Sequence, residues 1–250
     1  MRDPRSLFGG ARPLPAGGAA LLAALAGSPA ALGGELDALL FGSLDAGAAT
    51  FVTAGAKIAP GPLDRAGFAM LASVGGGRRT ERGGCDCAPG RGYDLALTRY
   101  TVAGAAVLGY QWFFDWGVVA AFAGPEGTME LLTDGRAVAA LPARFGLRLH
   151  GEVWARPTEE TLLQATGIAG SARDSVWARL AWGYRLWETY LGPEASLYTD
   201  ATGYRKWNLG LHGTDFALGR YSVRVSAGAQ IETGARRISP YVALSVWAPW

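Results

Sequence analysis

The sequence predicts an all-β fold, an antiparallel transmembrane β-barrel of about 12 strands behind a signal peptide. Three observations predict it. Segments of roughly ten residues alternate apolar and polar between turn residues. An uncharged stretch follows a basic start, and the chain ends in an apolar row closed by an aromatic residue. Composition agrees: the 250 residues are 50% apolar and 18% charged, against roughly 25% charged in ordinary soluble domains. With 37 Gly and 9 Trp, this is the balance of a sheet with one face in lipid and one in water.

Residues 1–12 carry Arg2, Arg5 and Arg12, and residues 13–34 carry no charge, with Leu21, Leu22 and Leu25 at their centre. Ser28-Pro29-Ala30 supplies small residues for a cleavage site, completing the order of a secretory signal over residues 1–30. Its apolar core is short and dominated by Ala and Gly, which favours removal over anchoring. Removing its three Arg and one Asp from the 23 basic and 21 acidic residues leaves 20 of each. The mature domain, residues 31–250, is therefore neutral, with no basic stripe for nucleic acid.

No later stretch is long enough for a spanning helix. Residues 101–114 are uncharged but broken by Gly104 and Gly109, and fall short of the ~20 residues required. Strands are expected at 39–45, 51–58, 68–75, 97–110, 117–123 and 145–155, then at 162–169, 176–185, 190–198, 206–216, 221–231 and 239–250. Long connections are expected at residues 78–92, which hold Cys85 and Cys87, and at 124–142. An even strand number puts both termini in the periplasm and these two connections outside. The Cys pair has too few ligands for structural zinc. It could close a loop disulfide, in a strained ring, or stay as two thiols.

Alternation gives the two faces. Leu147, Leu149 and Val153 oppose Arg148, His150, Glu152 and Trp154. Val176, Leu180, Trp182 and Tyr184 oppose Arg179 and Arg185, and Val223 and Val225 oppose Arg224 and Ser226. A soluble barrel would show the same rows with the faces exchanged. Aromatic residues at strand ends (Trp112, Phe113, Phe114, Trp116, Trp187, Tyr190) suit an interfacial girdle. The last strand carries Val242, Leu244, Val246 and Ala248 before Trp250. That row resembles the signal read by the bacterial barrel-assembly machinery, although Pro249 is unusual there. Outer-membrane lipid is thus the expected surrounding and the outer membrane the expected location.

Catalytic motifs are missing: the sequence has no G-x-S-x-G elbow, H-E-x-x-H or phosphate loop. Neither a cofactor nor a metal is expected. His212 near Ser222 or Ser226 could mimic an esterase pair, the basis of one alternative, a lipid-modifying enzyme; a small passive porin is another. The favoured candidates line the lumen: Arg148, His150, Glu152, Trp154, Arg179, Glu194, Tyr198, Lys206, Asp215 and Arg224. They could plug a narrow barrel or, with stacking rings beside carboxylates, contact a neutral glucan.

From about residue 40 onward the chain resembles the BcsS family of cellulose biosynthesis proteins. The likeness rests on residues 61–68 (GPLDRAGF), 190–194 (YLGPE), 200–207 (DATGYRKW) and 239–242 (SPYV). The resemblance implies an association with cellulose production and export, with cellulose or other secretion proteins as partners. Together with the missing motifs and the narrow lumen, it makes a non-enzymatic accessory role the expected one. It carries over no catalytic residue.

Overall fold

The structure, a computed structural model, describes residues 37–85, 93–233 and 238–250. Twelve strands follow one another: β1 (Asp37–Ala46), β2 (Thr50–Ala59), β3 (Gly67–Cys85), β4 (Tyr93–Phe114), β5 (Gly117–Thr133) and β6 (Val138–Thr158). They continue with β7 (Thr161–Gly170), β8 (Ser175–Leu186), β9 (Thr189–Thr199), β10 (Arg205–Leu218), β11 (Tyr221–Glu232) and β12 (Ser239–Pro249). Each pairs antiparallel with the next, and β12 pairs with β1 to close the barrel. Closure runs from Leu39 opposite Pro249 to Ala46 opposite Val242. Pro249 has no N–H to give, and Trp250 N takes up the closing role by donating to Ala38 O at 2.8 Å. The end where β1 begins and β12 stops is called proximal here, the other distal.

The period of two sorts the side chains as a transmembrane barrel requires. Val52, Leu108, Phe145, Leu147, Leu180 and Leu211 are exposed outside. Arg99, Glu130, Asn208, Thr214, Arg224 and Gln230 are buried inside. A soluble barrel has the opposite arrangement. Near the proximal rim the outer aromatic residues form a ladder, with Phe68 edge-on to Tyr110 at 5.0 Å, Tyr110 against Trp112 at 5.1 Å, and Phe114 stacked on Trp116 at 4.9 Å. Amphipathic rings at one level anchor a barrel at the interface. Tyr190, expected in that girdle, is instead buried in the lumen beneath Arg156, because it shares the inward parity of Glu194 and Ser196.

The two expected long connections are corrected. Residues 78–85 complete β3, and the strand after them begins at Tyr93. Most of residues 124–142 is strand too: β5 runs to Thr133 and β6 starts at Val138. Charge and glycine in these stretches read as loop, yet Glu126, Thr128 and Glu130 alternate inward against Met129 and Leu131 outward. The four strands β3–β6 have 19, 22, 17 and 21 residues, about twice the 9–11 that cross a bilayer. They rise past the distal rim as a wall. The expected signal at residues 1–30 and the Cys85–Cys87 link fall outside the described residues.

At the proximal end the lumen is apolar. Ala59, Ala69, Leu71, Val107, Ala120 and Phe122 pack together with Phe41, Leu63 and Ala105. The connection after β2 folds beneath them: Leu63 N donates to Asp37 Oδ2 at 2.8 Å, and Gln111 Nε2 donates to Leu63 O at 2.8 Å and Arg65 O at 3.1 Å. Burying a Leu or Phe here stabilises by about 1.5–3 kcal/mol each.

The lipid-facing assignment is testable at Leu180, which is 55% exposed in mid-strand. Leu180→Arg is expected to cost about 2–4 kcal/mol in urea unfolding of the vesicle-inserted barrel; an unchanged midpoint would mean that Leu180 does not face hydrocarbon.

Candidate functional site

Inward parity alone brings the charged side chains of β2–β11 into the lumen, and there they must pair, because an isolated buried charge is costly. At the distal mouth they form a closed ring of alternating charge. Arg79 contacts Glu81 at 2.6 Å, Glu81 meets Arg99 at 2.7 Å, and Arg99 meets Glu130 at 3.0 Å. Glu130 meets Arg173 at 2.9 Å, Arg173 meets Asp200 at 2.9 Å, and Asp200 returns to Arg79 at 2.7 Å. Three guanidinium groups and three carboxylates thus join β3, β4 and β5 to the turns after β7 and β9. Thr202 and Tyr198 add hydrogen bonds to Asp200. Tyr204 lies beneath the Arg79 guanidinium at 4.2 Å and donates to Glu232.

Asp200 lies in a turn, beyond the spanning strands. Burial works to raise its carboxyl pKa, but hydrogen bonds from Thr202 and Arg79 and the charges of Arg79 and Arg173 outweigh it, so the group is held below its ordinary value. Burial, followed by the hydrogen bond to Glu232, pushes the Tyr204 phenol up.

Below the ring, other pairs cross the lumen as chords. Lys57 on β2 reaches Glu152 on β6 at 2.9 Å. Arg148 binds Glu126 at 3.1 Å and approaches Ser73 Oγ at 3.5 Å. Arg224 donates to Gln164 and Glu194, and Glu194 also accepts from Ser226 and Tyr241. Lys206 Nζ and Asn208 Nδ2 donate to Asp45 at 3.0 and 3.3 Å.

Most of the residues expected in the lumen are there: Arg148, His150, Glu152, Trp154, Arg179, Glu194, Tyr198, Lys206 and Arg224. They do not converge on one site but divide among separate chords and layers. His150 Nε2 lies 2.9 Å from Glu152 Oε1, off the line of a good hydrogen bond. Trp154 packs edge-on against Trp247 at 5.9 Å. Arg179 forms no ion pair among the described residues and lies 5.8 Å from the Trp177 ring. Asp215 lies apart from these chords. It sits at a bulge between Gly213 and Phe216, at a φ of 66°, near the proximal rim and 4.0 Å from Arg156.

His212 and Ser226 are opposite each other in register but make no catalytic pair. His212 Nε2 faces Trp182 O at 3.3 Å, and Ser226 Oγ donates to Glu194 at 3.1 Å. Five of the six ring residues lie in segments read from sequence as connections or turns; the sixth, Arg99, lies in an expected strand. A usable signal was present: Arg79 and Glu81, like Thr128 and Glu130, are spaced by two, as in the clearer strands.

Residues 39–250 match the family model described as cellulose biosynthesis protein BcsS. Comparison with curated proteins gives no match. Among solved structures, the KdgM porin in complex with disordered oligogalacturonate aligns over 84% of this chain and 98% of its own, with 8% identity and a TM-score of 0.42. The β domain of the Bordetella autotransporter BrkA aligns over 86% and 98%, with 12% identity and a TM-score of 0.44.

Asp200 closes the ring from both sides, so Asp200→Asn leaves Arg79 and Arg173 short of a counter-charge. A loss of about 3 kcal/mol in urea unfolding is expected, since removing one partner strands buried charge. The depressed Asp200 carboxyl also sets a direction with pH. Its stabilisation is complete above the ordinary carboxylate range and is lost as pH falls through the lowered value. Protection against hydrogen exchange in the turns after β7 and β9, relative to the intrinsic rate at each pH, should therefore fall in acid for the wild type and be low already at neutral pH for Asp200→Asn. Equal protection in the two proteins at pH 7 would remove the latch.

Proposed function

The chain belongs to the BcsS family of cellulose biosynthesis proteins, and from that premise we propose that it is a non-enzymatic accessory barrel of the bacterial outer membrane. It serves the production or secretion of cellulose, with its proximal end in the periplasm and its wall of long strands outside. The apolar exterior supports the membrane setting, with outer-membrane lipid as the surrounding partner. The Trp-terminated β12 suits delivery by the barrel-assembly machinery. Its other partners are cellulose itself or neighbouring proteins of the secretion apparatus.

One observation carries the choice of an accessory role over a pore: apolar side chains pack the proximal lumen along β1–β5 while ion pairs cross it beside and above them. Packed Leu71, Val107 and Phe122, with the Lys57–Glu152 pair beside them, narrow the path for a glucan chain. The disengaged His212 and Ser226 weigh against the lipid-modifying alternative.

A deletion strain separates the classes. Altered cellulose yield with unchanged outer-membrane lipid is expected, and the purified barrel should give no single-channel conductance in planar bilayers. Normal cellulose in the deletion strain would overturn the role, and a steady open conductance would make the protein a porin.

A further inference from the structure

Not all of the lumen is filled. On the β5–β11 side long charged side chains reach inward, but two rungs of the wall formed by β12, β1, β2 and β3, between Trp247 and Phe41 below and Arg79 above, carry Ser245, Ser43, Thr53, Gly75 and Gly77 with one aromatic ring, bordered by Asp45. Phe51, near the distal start of β2, points inward, as its register opposite Asp45 and Gly77 requires. Its ring lies flat on the neighbouring strand. A Cβ on Gly75 would meet the ring at 2.8 Å, and one on Gly77 at 2.2 Å, so any side chain at either position would lift it off. The ring's other side faces open space: Phe51 is 36% exposed although it points into the barrel. Ser43, also inward, is exposed beside it.

One rung below the ring, hydroxyl groups stand side by side. Ser43 is in register with Ser245 on one flank and Thr53 on the other, and Thr53 is in register with Gly75. Among the described residues none of these three hydroxyls is taken up by the ion pairs, although Arg224, in register with Ser245, and Asp45 lie beside them. The Asp45 carboxylate, held by Lys206, borders the ring. A flat apolar face adjoining a row of neutral hydroxyls is complementary to a pyranose ring, whose C–H face is apolar and whose rim is all hydroxyl.

We propose that Phe51, seated on Gly75 and Gly77, is a stacking platform for one residue of a neutral β-linked glucan, with Ser43, Thr53 and Ser245 hydrogen-bonding its edge. The site rests on the cellulose-related reading above and gives it a place in the molecule. Phe51 stands at the distal start of β2, so the site opens toward the distal mouth.

The test uses the mature barrel refolded in detergent and titrated with cellohexaose by calorimetry. The wild type is expected to bind. Phe51→Ala should weaken binding at least about tenfold, as loss of a central aromatic anchor does, while Phe51→Trp should keep it. Gly77→Val, which displaces the ring without removing it, should weaken binding as well. Heat-modifiable migration on gels shows that each variant is folded. Failure of the folded wild type to bind, or equal binding by Phe51→Ala, overturns the site. Cellulose yield in the deletion strain decides the broader role separately. A strain phenotype without cellohexaose binding sinks the platform alone, and Phe51-dependent binding with normal cellulose sinks the role alone.

Discussion

In hydrocarbon an unpaired peptide N–H or C=O costs several kcal/mol, so a sheet can cross a membrane only when its first strand pairs with its last. Everything else in this chain is arranged around that closure. The seam between β1 and β12 is held over Leu39–Ala46, and Trp250 N completes it where Pro249 cannot donate. Closure fixes the parity of every strand, because a one-residue slip would turn the whole apolar row inward. Parity then decides which charges meet. Lys57 and Glu152 are 95 residues apart in sequence, and only the curvature of a closed barrel brings them together.

The closed lumen has two different storeys. Along β1–β5 the proximal part is packed as an apolar core, with the Lys57–Glu152 pair beside it, and the distal part is packed with ions. Burying ions rarely stabilises more than apolar packing of the same volume would, so the distal arrangement calls for another reason. A wet interior that adjoins the outside tolerates charge, and bidentate guanidinium contacts fix geometry in a way that apolar packing does not. The ion chords anchor on Asp45, Lys57 and Arg79 around the patch of Ser43 and Phe51 and leave those two side chains themselves unpaired among the described residues. A core of Leu and Val throughout would have left no such space.

The barrel itself was legible in the sequence, because alternation such as Leu147–Arg148–Leu149–His150 permits only a two-faced strand. All twelve strands are found at the expected places. What was misread was where β3–β6 stop. Gly75-Gly76-Gly77 and Gly124-Pro125 are turn dipeptides and tripeptides by composition, yet both lie in mid-strand, the first beneath the Phe51 ring and the second opposite Leu147 and Arg148. Glycine here answers a close approach between neighbours on the wall, a tertiary cause that no local pattern carries. The ring was hidden for a related reason. Its six members come from three strands and two turns, and nothing short of the barrel's diameter says that Arg79 can reach Asp200.

The wall and the ring also depend on each other. Above Arg78, β3 has lost its partner β2, and above Arg148, β6 has lost β7, so the projecting sheet has two open edges. Open edges invite pairing with other chains. On the β3 side the edge is guarded by charge at Arg78, Arg79 and Glu81, and the last two are committed to the ring. On the β6 side Pro142 removes a donor, and the bulge between Thr128 and Glu130 breaks the register. A sheet blunted in this way gains nothing from lateral neighbours, so it must be held from across the mouth, which is where Arg173 and Asp200 stand. The strands could lengthen beyond the membrane because the ring ties them down, and the ring can span the mouth because β3–β5 carry Arg79, Arg99 and Glu130 up to the level of the opposing turns.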